Sequence, residues 1–346
     1  SKQGRQAMPL SAAMTHTYRT AATPAFYINY MLKKFVFLFL SLLSLFTPQA
    51  QRASLRLGVL KGNGCLPCAY LIENKEKLSV QNMAFELFDS AESELPRLLR
   101  GQIDACFLAP ENAAKAFEKT KAQIVCLAVV QNGTLSLLTN DEAYGSISDL
   151  QEKTILCPSS SENETLVFKS LLEKTQALKE KGFPYLDFSV PTSSIANSLI
   201  TKKATYAILP EPYATVAVRS SNEVRKAESI QKLYNESNEW FSYPALLLVA
   251  RSDFVKQNKE LVRRFIEAYK NANQWTVKNS AKAALISEKH KITLSSAVTK
   301  DSLSSSGLVF KEAGSAKGEL EKYLNILIEQ KSASAPAFLP TEEFYF

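Results

Sequence analysis

Residues 94–110 read ELPRLLRGQIDACFLAP, which places a helix, a turn and a buried strand in direct succession. A helix is predicted over residues 93–100, and Gly101 suits the left-handed turn that ends a helix. Residues 103–108 form an apolar run of strand length, and a second helix is predicted over residues 111–119. This order indicates one unit of an α/β fold.

The same alternation extends to both sides of this stretch. Upstream, strands are predicted over residues 54–60 and 83–88, with a helix over residues 66–77 between them. Downstream, strands are predicted over residues 124–131 and 135–139. Repeated strand–helix order of this kind predicts a mostly parallel sheet with helices on both faces.

The pattern then restarts, which predicts a second α/β block. Strands are predicted over residues 154–157, 185–190, 206–209, 230–234 and 243–251, and helices over residues 162–181, 193–202, 212–218, 253–279, 281–289 and 315–330. Parallel sheets bind ligands at the carboxyl ends of their strands. Two such blocks therefore predict two lobes that face each other across a ligand cleft.

The front of the chain differs from the rest in charge. Residues 1–53 hold six basic residues and no acidic one, so the +7 of the whole chain falls to +1 for the remainder. The basic balance belongs to this leader, and we expect no nucleic-acid partner.

The leader has the order of a secretory signal. Residues 31–50 read MLKKFVFLFLSLLSLFTPQA, with two lysines, twelve mostly apolar residues and then small residues. Because a membrane-spanning helix needs about 20 apolar residues, a signal peptide over residues 31–53 is the preferred prediction. It implies a periplasmic or otherwise extracytoplasmic location. Residues 1–30 are expected to be a disordered upstream extension.

Three stretches together resemble the periplasmic substrate-binding proteins of ABC importers, in the class that serves nitrate, sulfonates, taurine and thiamine precursors. They are residues 55–59 (LRLGV), residues 94–110, and residues 207–214 (AILPEPYA). One departure is that Thr205-Tyr206-Ala207 stands where this class usually repeats Asp-Ala. The order and spacing of the three stretches carry the resemblance.

The resemblance implies a type II periplasmic binding protein: an α/β fold of two Rossmann-like lobes with mixed sheets and a double-crossover hinge. It implies that lobe I comprises residues 54–140 plus 245–346, and lobe II residues 141–244. The chain is expected to cross between the lobes near residues 139–144 and 243–247.

The implied function is capture of a small organic ligand, sulfonate-like or a heteroaromatic thiamine precursor, by hinge closure. The implied partners are that ligand and an ABC importer permease, for a protein expected to be a monomer without catalytic residues, cofactor or metal. One alternative is a thiamine-pyrimidine-synthase-like enzyme on the same fold, which needs an active-site histidine; outside the leader the chain offers His290.

Candidate ligand-binding residues follow predicted strand ends, where they should face the cleft. They are Asn63, Gly64, Cys65, Pro110, Glu111, Asn132 and Gly133 in the first lobe, and Ser159, Ser160, Ser161, Asn163, Glu211 and Tyr213 in the second. Glycine allows close backbone approach, and helix-start amides suit ligand oxygens. Glu111 and Glu211 favour a ligand with an N–H donor over nitrate.

Cys65 and Cys68 form a C-x-x-C pair among five cysteines. A local disulfide or a packed pair of small residues is the preferred interpretation. The alternative is a redox or metal-handling periplasmic protein, although a metal site would need more ligands.

Overall fold

The computed structural model describes residues 54–76, 78, 82–158, 162–239 and 241–346, without the side chain of Glu162. The predicted signal peptide and the extension before it lie outside the described residues. Within the described part of the chain, no helix is long and apolar enough to cross a membrane.

The strands are β1 (Leu55–Leu60), β2 (Met83–Phe88), β3 (Ala105–Leu108), β4 (Ile124–Asn132), β5 (Ser136–Thr139), β6 (Thr154–Leu156), β7 (Tyr185–Asp187), β8 (Tyr206–Leu209), β9 (Arg225–Ser229), β10 (Pro244–Arg251) and β11 (Leu308–Glu312). The helices are α1 (Leu66–Glu73), α2 (Ala91–Leu99), α3 (Pro110–Thr120), α4 (Glu162–Lys174), α5 (Gln176–Lys181), α6 (Thr192–Ile200), α7 (Tyr213–Ser220), α8 (Ile230–Ser237), α9 (Ser252–Gln257), α10 (Lys259–Lys278), α11 (Ser280–Lys289), α12 (Ser296–Ser302) and α13 (Ala313–Glu329).

The strands form two mixed sheets, in the orders β11-β4-β10-β3-β1-β2 and β7-β6-β8-β5-β9. In the first sheet β1 runs parallel to β2 and β3, whereas β10 is antiparallel to β3 and β4. In the second, β6 is parallel to β7 and β8, whereas β5 is antiparallel to β8 and β9. We call the first sheet with the helices packed on it the first half, and the second sheet with its helices the second half. The implied mixed sheets are confirmed, and a mostly parallel sheet is not observed.

The central strands β3, β5 and β8 are buried on both faces, as strands of sheets covered by helices are. In the first half, Phe107 points toward α10, where its ring lies 5.7 Å from that of Tyr269. Its strand neighbour Cys106 points to the opposite face and packs in a cluster with Phe117 of α3. In the second half, successive strand residues also point to opposite faces of the sheet. Ile208, for example, packs in a cluster with Phe168 of α4.

Helix α13 packs into the cores of both halves. Leu320 lies in the cluster of the first half that contains Phe117, whereas Tyr323 and Leu327 lie in the cluster of the second half. One late helix therefore shares its apolar surface between two cores.

The prediction of a strand over residues 230–234 is wrong, because this segment begins helix α8 and the strand is the preceding β9. Ile230, Leu233 and Tyr234 have helical spacing and pack inward. The Ser229 hydroxyl accepts a hydrogen bond from the Lys232 amide at 3.3 Å, which caps the helix. The strand β11 and helix α12 were not predicted.

The first crossing between the sheets occurs earlier than expected. Strand β5, which was assigned to lobe I, pairs with β8 and β9 in the second sheet. The chain therefore leaves the first sheet between Asn132 and Ser136, and it returns with β10. The two lobes as separately moving units remain a prediction.

Candidate functional site

A cavity of about 260 Å³ lies where strand ends of the two sheets meet. It is lined by Leu60, Lys61, Gly62, Asn63, Gly64, Cys65, Gln131, Thr134, Glu164, Pro210, Glu211 and Leu246. Leu60 ends β1, the lining residues from Lys61 to Cys65 follow it, and Pro210 and Glu211 follow β8. Cavities of about 440 and 430 Å³ also occur, around Arg251 and around Phe183, but each is lined by one half alone. We call the 260 Å³ cavity the cleft pocket.

The turn after β1 forms one wall of the cleft pocket. Gly62 has φ of 135°, a backbone conformation that favours glycine, and its amide donates to the Ile292 carbonyl at 2.9 Å. A Cβ atom at Gly64 would overlap the ends of the Gln131 and Leu246 side chains, which would have to move to admit a larger residue. The structure therefore places the predicted residues Asn63, Gly64 and Cys65 on the pocket wall.

Glu211 also lies on the pocket wall, but its carboxylate already has protein partners. It forms an ion pair with Lys226 and accepts a hydrogen bond from the Ser305 hydroxyl at 2.6 Å. Its second oxygen accepts from the Thr215 amide at 3.2 Å. A buried carboxylate needs such compensation. These bonds do not support the prediction that Glu211 accepts directly from a ligand.

Glu164 lines the pocket without a cationic partner among the described residues. The Tyr243 hydroxyl donates to its carboxyl group at 3.4 Å. Burial raises the pKa of Glu164 to about 7, and the nearby Glu111 contributes to the rise. Neither Glu164 nor Gln131 was a predicted site residue. Glu164 follows Asn163 in the first turn of α4, a position that could have indicated it.

Glu111 and Asn163 lie behind the pocket, in a contact that joins the two halves. The Asn163 amide nitrogen donates to one Glu111 oxygen at 2.8 Å, and the Tyr323 hydroxyl donates to the other at 3.1 Å. The Ser332 hydroxyl in turn donates to the Asn163 side chain at 2.7 Å. Burial raises the pKa of Glu111. Both predicted residues are bonded within this contact and are not among the pocket-lining residues.

Gly133 belongs to the same contact. A Cβ atom at this position would fall inside the ring of Tyr243. That ring stacks on Tyr323 at 6.2 Å between centroids and meets the edge of Tyr234 at 5.3 Å. We call Glu111, Gly133, Asn163, Tyr243 and Tyr323 the seam.

Four other groups of predicted site residues have different outcomes. Pro110 is buried in the first turn of α3, and the Asn132 amide donates to the Gly307 carbonyl at 2.8 Å. Tyr213 begins α7 with 39% of its surface exposed and is not among the pocket-lining residues. Ser159, Ser160 and Ser161 lie outside the described residues.

The two halves also touch through side chains of α7, β9 and the segment after α11. Arg219 of α7 forms an ion pair with Asp301 of α12. Lys226 of β9 donates to the Ser305 hydroxyl at 3.0 Å. The segment that follows α11 in the first half thus reaches over to the second half.

Cys65 and Cys68 are free, buried thiols in the core of the first half. Of the two preferred interpretations, the structure has the packed pair and not the local disulfide. Burial raises the pKa of Cys65 well above its usual value, whereas reactive thiols have lowered ones. His290 pairs with Glu73 at 2.6 Å and is not a pocket-lining residue. Among the side chains that the structure describes, no group of three His, Cys, Asp or Glu residues is arranged to hold a metal ion.

The fold is that of the binding proteins of ABC importers. An ABC transporter protein from Parabacteroides distasonis superposes with a TM-score of 0.71 at 17% identity, covering 85% of this chain and 98% of that one. The periplasmic aliphatic sulphonate binding protein SsuA from Escherichia coli gives 0.65 at 13%, covering 85% and 92%. The periplasmic nitrate-binding protein NrtA from Synechocystis PCC 6803 gives 0.54 at 14%, covering 83% of each chain. Similarity at these identities establishes the fold.

The sequence assigns the family. Residues 81–283 match the family described as NMT1/THI5 like, and the chain belongs to it. No curated protein sequence matches the chain.

Proposed function

We propose that this protein is exported and captures a small organic solute, which it delivers to an ABC importer without chemical change. The observation that carries the proposal is the cleft pocket, whose wall combines the turn after β1 with Glu164 and Glu211 of the other half. A solute held there contacts both halves at once. Such a ligand stabilises only the closed arrangement.

Two side-chain contacts between the halves support hinge closure. Arg219–Asp301 and Lys226–Ser305 join the halves, and Lys226 and Ser305 also contact the pocket residue Glu211. These exposed or half-buried contacts are individually weak, so a bound solute that contacts both halves adds free energy that holds the pocket closed. An importer permease can then recognise the closed form, with the binding protein acting as a monomer.

Closure is tested by small-angle X-ray scattering of the purified chain with and without a pooled extract of small metabolites. We expect the radius of gyration to fall when a solute binds, and native mass spectrometry to identify that solute. The double variant Arg219→Ala, Asp301→Ala should bind about 2- to 5-fold more weakly because the closed form loses a contact. The control Lys202→Ala breaks an exposed ion pair with Glu223 inside one half and should bind normally. Scattering that does not change with any metabolite pool would reject the proposal.

Export is tested separately by expressing the chain from Met31 and sequencing the amino terminus of the exported product. Cleavage after Ala50 or Ala53 is expected. Recovery of an uncleaved, cell-retained chain would argue against the periplasmic assignment.

A further inference from the structure

The charged side chains around the cleft pocket differ in whether they have a partner of opposite charge. Lys61 is held by Asp89 at 2.6 Å, and Glu211 is held by Lys226. Glu164 has no Lys, Arg or His within ion-pair distance among the described residues. Its partners are the neutral Tyr243 hydroxyl and the Thr134 amide. When Glu164 is ionised, it leaves the pocket with one uncompensated negative charge.

Four hydrogen-bond donors on the wall already have protein acceptors. The amides of Gly62 and Cys65 donate to backbone carbonyls at 2.9 and 3.2 Å. The Asn63 side chain donates to Ser302 at 2.9 Å, and the Gln131 side chain donates to the Ser306 carbonyl at 2.8 Å. The last bond turns the Gln131 oxygen toward the turn at Gly64. These donors are therefore engaged within the protein, and the Gln131 oxygen remains as an acceptor on the wall.

A second acidic group lies behind Glu164. Glu111 is close enough to raise the pKa of Glu164 and is itself bonded to Asn163 and Tyr323. An anionic ligand at this wall would face the Glu164 carboxyl group, with Glu111 behind it, and no unpaired cation among the described residues. A cationic ligand would gain a charge-assisted hydrogen bond.

Building on the proposed function, we propose that the captured solute carries a cationic N–H group, a protonated amine or amidine, that pairs with Glu164. The pocket then selects against sulfonates and nitrate, for which two of the structurally similar proteins are named. Glu164 sets this specificity by charge, and the remaining wall supplies shape and acceptors.

The test uses three probes of similar size and different charge: benzamidinium, benzamide and benzenesulfonate. Their affinities for the purified chain are measured by calorimetry at pH 8, above the pKa of Glu164. Benzamidinium should bind at least about 10-fold more tightly than benzamide, and benzenesulfonate most weakly. Any other order, including undetectable benzamidinium binding, overturns the inference.

Two variants assign the preference to Glu164. Glu164→Gln should remove the difference between benzamidinium and benzamide while the chain stays folded by circular dichroism. The control Glu260→Gln makes the same change in net charge at the exposed start of α10 and should keep the preference. A preference that survives Glu164→Gln also overturns the inference.

Failure of this inference differs from failure of the proposed function. If a natural anion from the metabolite pool closes the two halves, solute capture stands and the cationic class is wrong. If no solute closes them, solute capture itself fails.

Discussion

The cleft pocket and the seam behind it use the same kinds of residue at the same kinds of position. Each holds a glycine in a turn after a strand, Gly64 in one and Gly133 in the other. Each also holds a carboxyl group near a helix start, Glu164 in one and Glu111 in the other. In the seam, aromatic rings and amide groups from both halves fill the space and satisfy Glu111. In the pocket, the corresponding space is open.

The difference shows that a polar residue after a strand is not yet a binding residue. Glu111 and Glu164 contribute similar chemistry. Tyr323, from a helix more than 200 residues later, donates to Glu111 and closes the seam. Partner groups therefore decide whether such a residue packs or binds.

The largest effect is expected when the seam is overfilled. Gly133→Ala places a methyl group inside the Tyr243 ring and should lower the free energy of unfolding by about 3 kcal/mol or more. Gly314→Ala is the matched control, because its Cβ would meet nothing within 4 Å and should change stability by less than about 1 kcal/mol. Urea denaturation of both variants measures the difference. Equal midpoints would mean that the seam has room for the added methyl group.

A smaller loss is expected at the pocket wall when Glu211 loses its cation. Lys226→Met leaves a buried carboxylate with neutral donors only, which should cost about 2–4 kcal/mol. Lys202→Met removes one partner of an exposed pair and should cost less than about 1 kcal/mol. Thermal and urea unfolding distinguish the two. Similar losses in both variants would show that the Glu211 pair is solvated.

Removal of one donor from the seam should have a more modest effect. Asn163→Ala takes the hydrogen bond from one Glu111 oxygen and should lower stability by about 1–2 kcal/mol. Tyr323→Phe, which removes the donor to the other oxygen, should have a similar effect. If neither variant changes the urea midpoint at neutral pH, water replaces the lost donors and the seam is accessible.

The smallest effect should depend on pH. The pKa of Glu164 is about 7 in the folded protein and near its ordinary 4.5 when unfolded, so the folded state loses stability as pH rises through this interval. Glu164→Gln removes that loss. Relative to wild type, the variant should gain about 1 kcal/mol between pH 5 and pH 8, a discounted value because the side chain is partly buried. Urea unfolding at both pH values measures it, and an equal difference at the two would contradict the shift.

Much of the fold could be predicted because it depends on local pattern. Strand β2 was predicted to the residue, and Gly101 ends α2 with φ of 69° as expected. The strand prediction for residues 230–234 was wrong because an apolar run of five residues fits a strand and one turn of a helix equally well. Helix α12 is too short to show a clear periodicity.

The candidate site was predicted in part for the same reason. Asn63, Gly64, Cys65 and Glu211 line the pocket because strand ends locate them. Glu164 was missed because no local sequence pattern shows that its carboxyl group lacks a cationic partner. Nor does any local pattern show that Glu211 pairs with Lys226. Both facts depend on residues far away in the chain.

By itself, the sequence determined the alternation of strands and helices, the two-sheet class and the turns that face the cleft. These features depend on hydrophobic periodicity and on the backbone conformations of glycine, which set structure over a few residues. Only the tertiary structure decided which of those turns stay open. Helix α13 brings Tyr323 to Glu111, and the segment after α11 brings Ser305 to Glu211. Burial, compensation of charge and free space result from such distant contacts, and these determine whether a polar group can accept a ligand.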